Sequence, residues 1–150
     1  GFDLLELRGQ GAQGEVWKAI NIETNSVIAL KIINVNKSEL TNVQNELSNL
    51  EKISNPCHQF LLCYYANYYD DTNKKLYIEM EYIDGSELQE WAKQFNYNLL
   101  HTYLLALIDD LVKALKFIHS KNIIHRDIKP GNILITKNGI PKLVDFGLSC

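Results

Sequence analysis

Residues 123–147 constrain this chain more than any other stretch. They place two acids, a lysine and an asparagine, Asp127, Lys129, Asn132 and Asp145, in loops between apolar runs too short for helices. The runs 133–135 and 140–144 are of strand length, and Asn138-Gly139 between them is a hairpin-turn pair. The pattern predicts a hairpin that carries Asp145 out at its end. A fold built around this stretch must present chemistry-bearing loops at strand ends, which a plain bundle of helices does not do.

Carboxylates, a cation and an amide in that order suit phosphoryl transfer, which spreads negative charge over the moving group. The run His125-Arg126-Asp127-Ile128-Lys129-Pro130-Gly131-Asn132 resembles the catalytic loop of eukaryotic-type protein kinases, and Asp145-Phe146-Gly147 resembles their metal-binding triplet. The resemblance implies that Asp127 orients the acceptor hydroxyl and takes its proton, and that Lys129 faces the γ-phosphate. Asn132 and Asp145 would give oxygen ligands to Mg²⁺, a hard cation. An isolated H-R-D triplet would read as a turn with a solvated acid; the ordered set argues against that.

The chain has 150 residues, enough for a buried core, and reads as one domain or part of one. Kinase domains are longer, so the activation loop and later helices are expected beyond Cys150, and the fragment alone is expected to be inactive. A formal charge of −3 without blocks of like charge demotes nucleic acid and membrane surfaces as partners. Three cysteines, Cys57, Cys63 and Cys150, show neither metal-ligand spacing nor an even count. They read as thiols in a reducing compartment, which makes a cytoplasmic location the expectation. No apolar run approaches the roughly 20 residues of a spanning helix. Oligomeric state has no signature.

Along the chain, residues 2–9 alternate as a half-buried strand does. Gly9-Gln10-Gly11-Ala12-Gln13-Gly14-Glu15-Val16 follows as a complete G-x-G-x-x-G-x-V. Dinucleotide-binding folds place such glycines between a strand and a helix. Here strand-like segments 15–20 and 27–33 follow, joined by a turn over 21–26, which makes a β-meander. Ile28-Ala29-Leu30-Lys31 resembles the family's V-A-I-K, so Lys31 would hold the α- and β-phosphates. Thr41 with Gln44 has capping-box form, and Leu40, Val43, Leu47 and Leu50 repeat at helical spacing. Glu46 then lies at the edge of the buried face, from which it can reach Lys31.

The aromatic-rich tract 60–69 and the tract 75–83 read as two more strands around a loop at 70–74. The resemblance implies Met80 at the back of the adenine pocket, backbone bonds to adenine from Glu81 and Ile83, and Glu87 at the ribose. Gly9, Gln10, Gly11, Ala12, Gln13, Gly14, Val16, Ala29 and Leu134 complete the expected nucleotide contacts. Ser86 is expected to cap a short helix to about Phe95. Leu100, Leu104, Leu107, Leu111, Leu115 and Ile118 define a long amphipathic helix ending near Ser120.

The expected fold is α+β and kinase-like. A five-stranded antiparallel sheet with one helix forms the first lobe and hinge, residues 1–83, and a mainly helical second lobe, 84–150, is incomplete. The expected function is ATP- and Mg²⁺-dependent phosphorylation of protein serine or threonine, because tyrosine kinases usually lack a lysine two after the aspartate. A nucleotide-binding pseudokinase and a small-molecule kinase of the aminoglycoside-phosphotransferase type are the alternatives. The first is disfavoured by the presence of Lys31, Asp127, Asn132 and Asp145, the second by Arg126 and Lys129.

Overall fold

The computed structural model describes residues 1–11, 14–125 and 128–144. The chain forms two compact units, one of Gly1–Glu51 with Cys63–Tyr82, the other of Lys52–Leu62 with the described residues from Ile83 onward.

The first unit is a five-stranded antiparallel sheet in the order β1-β2-β3-β5-β4, with one long helix. Strands β1 (Phe2–Gly11), β2 (Gly14–Asn21) and β3 (Ser26–Asn34) form the expected meander. Register shifts between Leu4 and Glu6 and between Leu7 and Gly9 interrupt β1, so the adjacent leucines do not follow one alternation. Leu4, Leu5 and Leu7 are all exposed, which corrects the half-buried strand expected there. At the β2–β3 turn Asn21 Oδ1 accepts from the N–H groups of Glu23 (3.0 Å) and Thr24 (3.3 Å).

Helix α1 (Lys37–Ile53) starts before Thr41. The Asn36 carbonyl accepts from the Glu39 and Leu40 amides, so Thr41 and Gln44 lie inside the helix and form no capping box. The expected face holds: Leu47, Leu50 and Ile53 are buried, Leu40 and Val43 half-buried. Strands β4 (Tyr64–Asp70) and β5 (Lys75–Glu81) meet at a turn where Asp70 Oδ1 accepts from the Thr72 and Asn73 amides.

One face of the sheet buries Ala19, Ile28 and Leu30 against Phe2, Ile32 and Tyr77. Buried beside them is Glu79, whose carboxylate accepts from Asn21 Nδ2 at 2.9 Å and Tyr68 O–H at 3.3 Å. Burial and the adjacent Glu79 push the Tyr68 phenol up from its ordinary value, which keeps it a donor.

In the second unit, α2 (Leu88–Ala92) precedes α3 (Tyr97–Ser120). Ser86 does not cap α2. The N-cap is Glu87, without a side-chain bond, and Ser86 pairs with Ile135. Asn96 Oδ1 caps α3 by accepting from the Leu99 amide at 2.9 Å. The long helix ends where its leucine pattern predicts, with Leu107, Ala114 and Ile118 buried. Strands β6 (Gly85–Glu87), β7 (Ile133–Thr136) and β8 (Pro141–Leu143) make a three-stranded sheet. The β7–β8 hairpin matches the expectation from sequence, and β6 adds a strand to it.

The tract 60–69 is divided between the units. Phe60 O accepts from Leu143 N at 2.9 Å and Leu62 N donates to Leu143 O at 3.0 Å, so this short segment pairs with β8, and β4 begins only at Tyr64. Cys57 and Cys63 are both disulfide-bonded, which corrects the expectation of free thiols.

Asn21→Ala removes the Nδ2 donor from a buried carboxylate and the acceptor of two turn amides. It should cost about 2–3 kcal/mol in urea unfolding. A loss below about 0.5 kcal/mol would show that the Asn21–Glu79 pair does not hold the strands together.

Candidate functional site

Strand register decides which residues of the first unit share a face. Val16 on β2 stands opposite Lys31 on β3, and Lys31 opposite Ile78 on β5; Lys18 stands opposite Ala29, and Ala29 opposite Met80. Val16, Ala29, Lys31 and Met80 therefore lie on one face, the side away from Leu30 and Glu79. An apolar floor of valine, alanine and methionine thus borders two half-buried lysines, Lys18 and Lys31.

The glycine-rich hairpin joins β1 to β2 at the edge of this sheet, with Gly9 paired to Val16, Gln10 to Glu15 and Gly11 to Gly14. Its glycines serve different needs. Gly14 has φ +132°, and a Cβ there would strike the Ile32 carbonyl. A Cβ on Gly9 or Gly11 would meet nothing within 4 Å. The fold itself demands glycine only at Gly14 of these three, and the backbone at Gly9 and Gly11 is left open to a ligand. Ala12 and Gln13 lie outside the described residues.

Glu46 is exposed on α1, and among the described residues no ion pair joins it to Lys31. Residue spacing along a helix fixes which side is buried, but not where the helix sits against the sheet. Glu81 N donates to Cys63 O at 2.8 Å, and its carboxylate accepts from Cys63 N at 2.9 Å. Those bonds anchor the end of β5.

In the second unit Ile83 is half-buried and Glu87, exposed, ends β6 opposite Leu134. Leu134 faces away from the buried Ile133 and Ile135. Lys129 is exposed and immediately precedes a single 3-10 turn, Pro130–Asn132, closed by Asn132 N donating to Lys129 O at 2.9 Å. That turn buries Asn132, whose residue is 4% exposed. Asp127 and Asp145 lie outside the described residues.

The approach to Asp145 is well defined. Val144 N donates to Asn132 O at 2.9 Å, and His125 Nε2–H donates to Val144 O at 2.7 Å. His125 is 1% exposed. It belongs to the H-R-D triplet, yet sequence reasoning gives it no role in the site, because a histidine in a loop carries no sign that it will be buried. Among the described residues no group of histidines, cysteines and acids forms a metal cluster. Asn132 is the described member of the expected oxygen ligand set.

The sequence matches the model of the family described as Protein kinase domain over residues 2–150. The chain belongs to the protein kinase family. Its sheet-and-helix unit is the family's first lobe, and its second unit is a partial helical lobe. Such a domain implies phosphoryl transfer to protein substrates. Among the described residues no helix is long and apolar enough to cross a membrane.

The two kinds of glycine should separate in stability. Gly14→Ala should destabilise the protein by at least about 1 kcal/mol, through backbone strain and the Ile32 contact. Gly9→Ala should leave stability within about 0.5 kcal/mol or raise it slightly. Equal urea midpoints for both variants would contradict this division.

Proposed function

We propose that the protein transfers the γ-phosphoryl group of ATP to serine or threonine hydroxyls of protein substrates. The observation that carries the reading is the register of β2, β3 and β5, which sets Val16, Ala29, Lys31 and Met80 on one face, with β2 entering from a hairpin open at Gly9 and Gly11. A purine needs flat apolar contact, and its phosphates need backbone N–H groups and a cation. Ala29 and Met80 suit the ring, Lys31 the α- and β-phosphates, and the glycine hairpin the phosphate oxygens.

Gln10, Ala12, Gln13, Leu134, Glu81, Ile83 and Glu87 complete the proposed nucleotide contacts. Among the described residues neither Lys31 nor Glu46 is committed to another ion pair, so Glu46 remains the proposed partner of Lys31 in the nucleotide-bound state. The oxygens of Asn132 and Asp145 fit Mg²⁺, which would neutralise charge on the phosphates. Asp127 orients the acceptor and takes its proton, while Lys129 offsets charge on the moving phosphoryl group. Lys129 also supports the serine/threonine assignment.

Protein is the substrate class, with no nucleic acid or membrane partner proposed. A cytoplasmic location rests on ATP as donor; the disulfide-bonded Cys57 and Cys63 give it no support.

The test is phosphoryl transfer by the full-length protein to serine, threonine and tyrosine peptides. Asp127→Asn keeps shape and removes charge, and should lower kcat at least about a hundredfold, within the usual reach of general-base assistance. ATP affinity should stay within a fewfold. Near-normal kcat would remove Asp127 from the mechanism, and transfer to tyrosine alone would overturn the branch assignment.

Gly11→Ala separates binding from folding. It should leave stability within about 0.5 kcal/mol yet weaken nucleotide binding, because its methyl group enters the space proposed for phosphate. Unchanged affinity by calorimetry would mean that phosphates do not approach that backbone.

A further inference from the structure

His58 lies between α1 and β4, in a turn that the kinase reading leaves without a task. The turn is closed by Leu61 N donating to His58 O at 3.2 Å. The ring has a second engagement: its Nδ1 accepts from Phe60 N–H at 3.1 Å. It stands 4.9 Å from the Phe117 ring of α3 and 5.7 Å from the Phe60 ring, so helix and turn both grip it. Phe60 O and Leu62 N in turn hold the two backbone groups of Leu143 on β8. Leu143 stands two residues before Asp145 in sequence.

We infer that His58 is a positioning residue for β8: the bond its ring accepts from Phe60 N–H holds the 60–62 segment against Leu143, and a proton on the ring releases that hold. The inference rests on the proposed function only for its effect on catalysis, through Asp145.

The chemistry is that of a ring nitrogen with one lone pair. Neutral imidazole can accept at Nδ1, whereas imidazolium carries N–H at both nitrogens and accepts at neither. A protonated ring would turn a donor toward the Phe60 donor, and flipping the ring would present a C–H instead. Either way the Phe60 amide loses its partner. Lys142 on β8 is the charged group whose field reaches the ring. On the helix side Lys121 lies 5.8 Å from the centre of the Phe117 ring.

Burial first, then the Lys142 cation, lowers the His58 pKa from its ordinary value. The folded state therefore holds the proton less tightly than the unfolded chain. The hold is fully present above the unfolded value of about 6.5 and is lost as pH falls through the lower folded value.

The experiment is amide hydrogen exchange on the full-length protein, corrected for intrinsic rates, from about pH 7.5 to about pH 5.0, a range that spans the ordinary imidazole value. Protection at Leu62 and Leu143 should fall about tenfold across that range, the scale of one ordinary hydrogen bond. His58→Asn places an uncharged acceptor near the Nδ1 position and should remove that pH dependence. His58→Phe keeps a ring against Phe117 without an acceptor and should show low protection at every pH. The acid limb of kcat/KM should become shallower in His58→Asn.

Protection that is flat with pH in the wild type, or that falls equally in His58→Asn, would overturn the inference. Exchange needs neither nucleotide nor substrate, which keeps the two readings separable. Phosphoryl transfer without pH-dependent protection refutes the His58 latch alone, while the expected exchange pattern in a protein that transfers no phosphate supports the latch and refutes the function.

Discussion

Both backbone groups of Val144 are bound, and the second unit depends on that. Its N–H is held by Asn132 O and its C=O by the buried His125 ring, while neighbouring Leu143 is held on both sides by Phe60 and Leu62. Three segments thus converge on two residues: the turn after α1, the loop after α3 and the 3-10 turn ahead of β7. Buried backbone groups must be paired somewhere, and here the pairing also fixes the chain just ahead of Asp145. The role proposed for Asp145 needs such support, since a loop without it would not hold a carboxylate to the tolerance that phosphoryl transfer requires.

Where a pattern repeats over many residues, the amino-acid sequence is enough to place the element. The six apolar positions of α3 mark a face that burial confirms, and the existence of three meander strands follows from strand-length segments separated by turn residues, although the alternation read for β1 does not mark a buried face. Elements recruited by a neighbour are harder to read. Gly85-Ser86-Glu87 has no strand propensity and becomes β6 by pairing with β7. Residues 60–62 have every mark of a strand, but their composition does not say that β8, and not β5, is their partner. The start of α1 leaves little trace because residues 37–39 are mostly polar and add nothing to an apolar period; the Asn36 carbonyl sets that boundary.

The same contrast governs the site. Residues on paired strands can be assigned a common face from parity alone, since strand geometry alternates strictly and Val16, Ala29, Lys31 and Met80 have the right parity once the strands are in register. Glu46 cannot be placed that way. Helical spacing says that it borders a buried stripe, but the distance to Lys31 depends on a rigid-body position that no local pattern encodes. His125 and His58 are illegible in the sequence for a related reason: what matters about each is the backbone group its ring meets, and spacing along the chain does not identify that group.

The glycine hairpin shows why a motif is weaker than its mechanism. Gly9, Gly11 and Gly14 are equivalent letters in G-x-G-x-x-G, yet only Gly14 is required by the chain's own geometry, through its positive φ and the nearby Ile32 carbonyl. For Gly9 and Gly11 the protein supplies no steric reason. An unforced glycine in a strand weakens that strand, because it loses more conformational freedom on folding and contributes no side chain to packing. Two such residues, on the edge strand paired with β2, are therefore a cost that folding does not explain. Their position opposite Val16 and Gly14 supplies a reason, since it leaves backbone accessible where the proposed phosphates need donors.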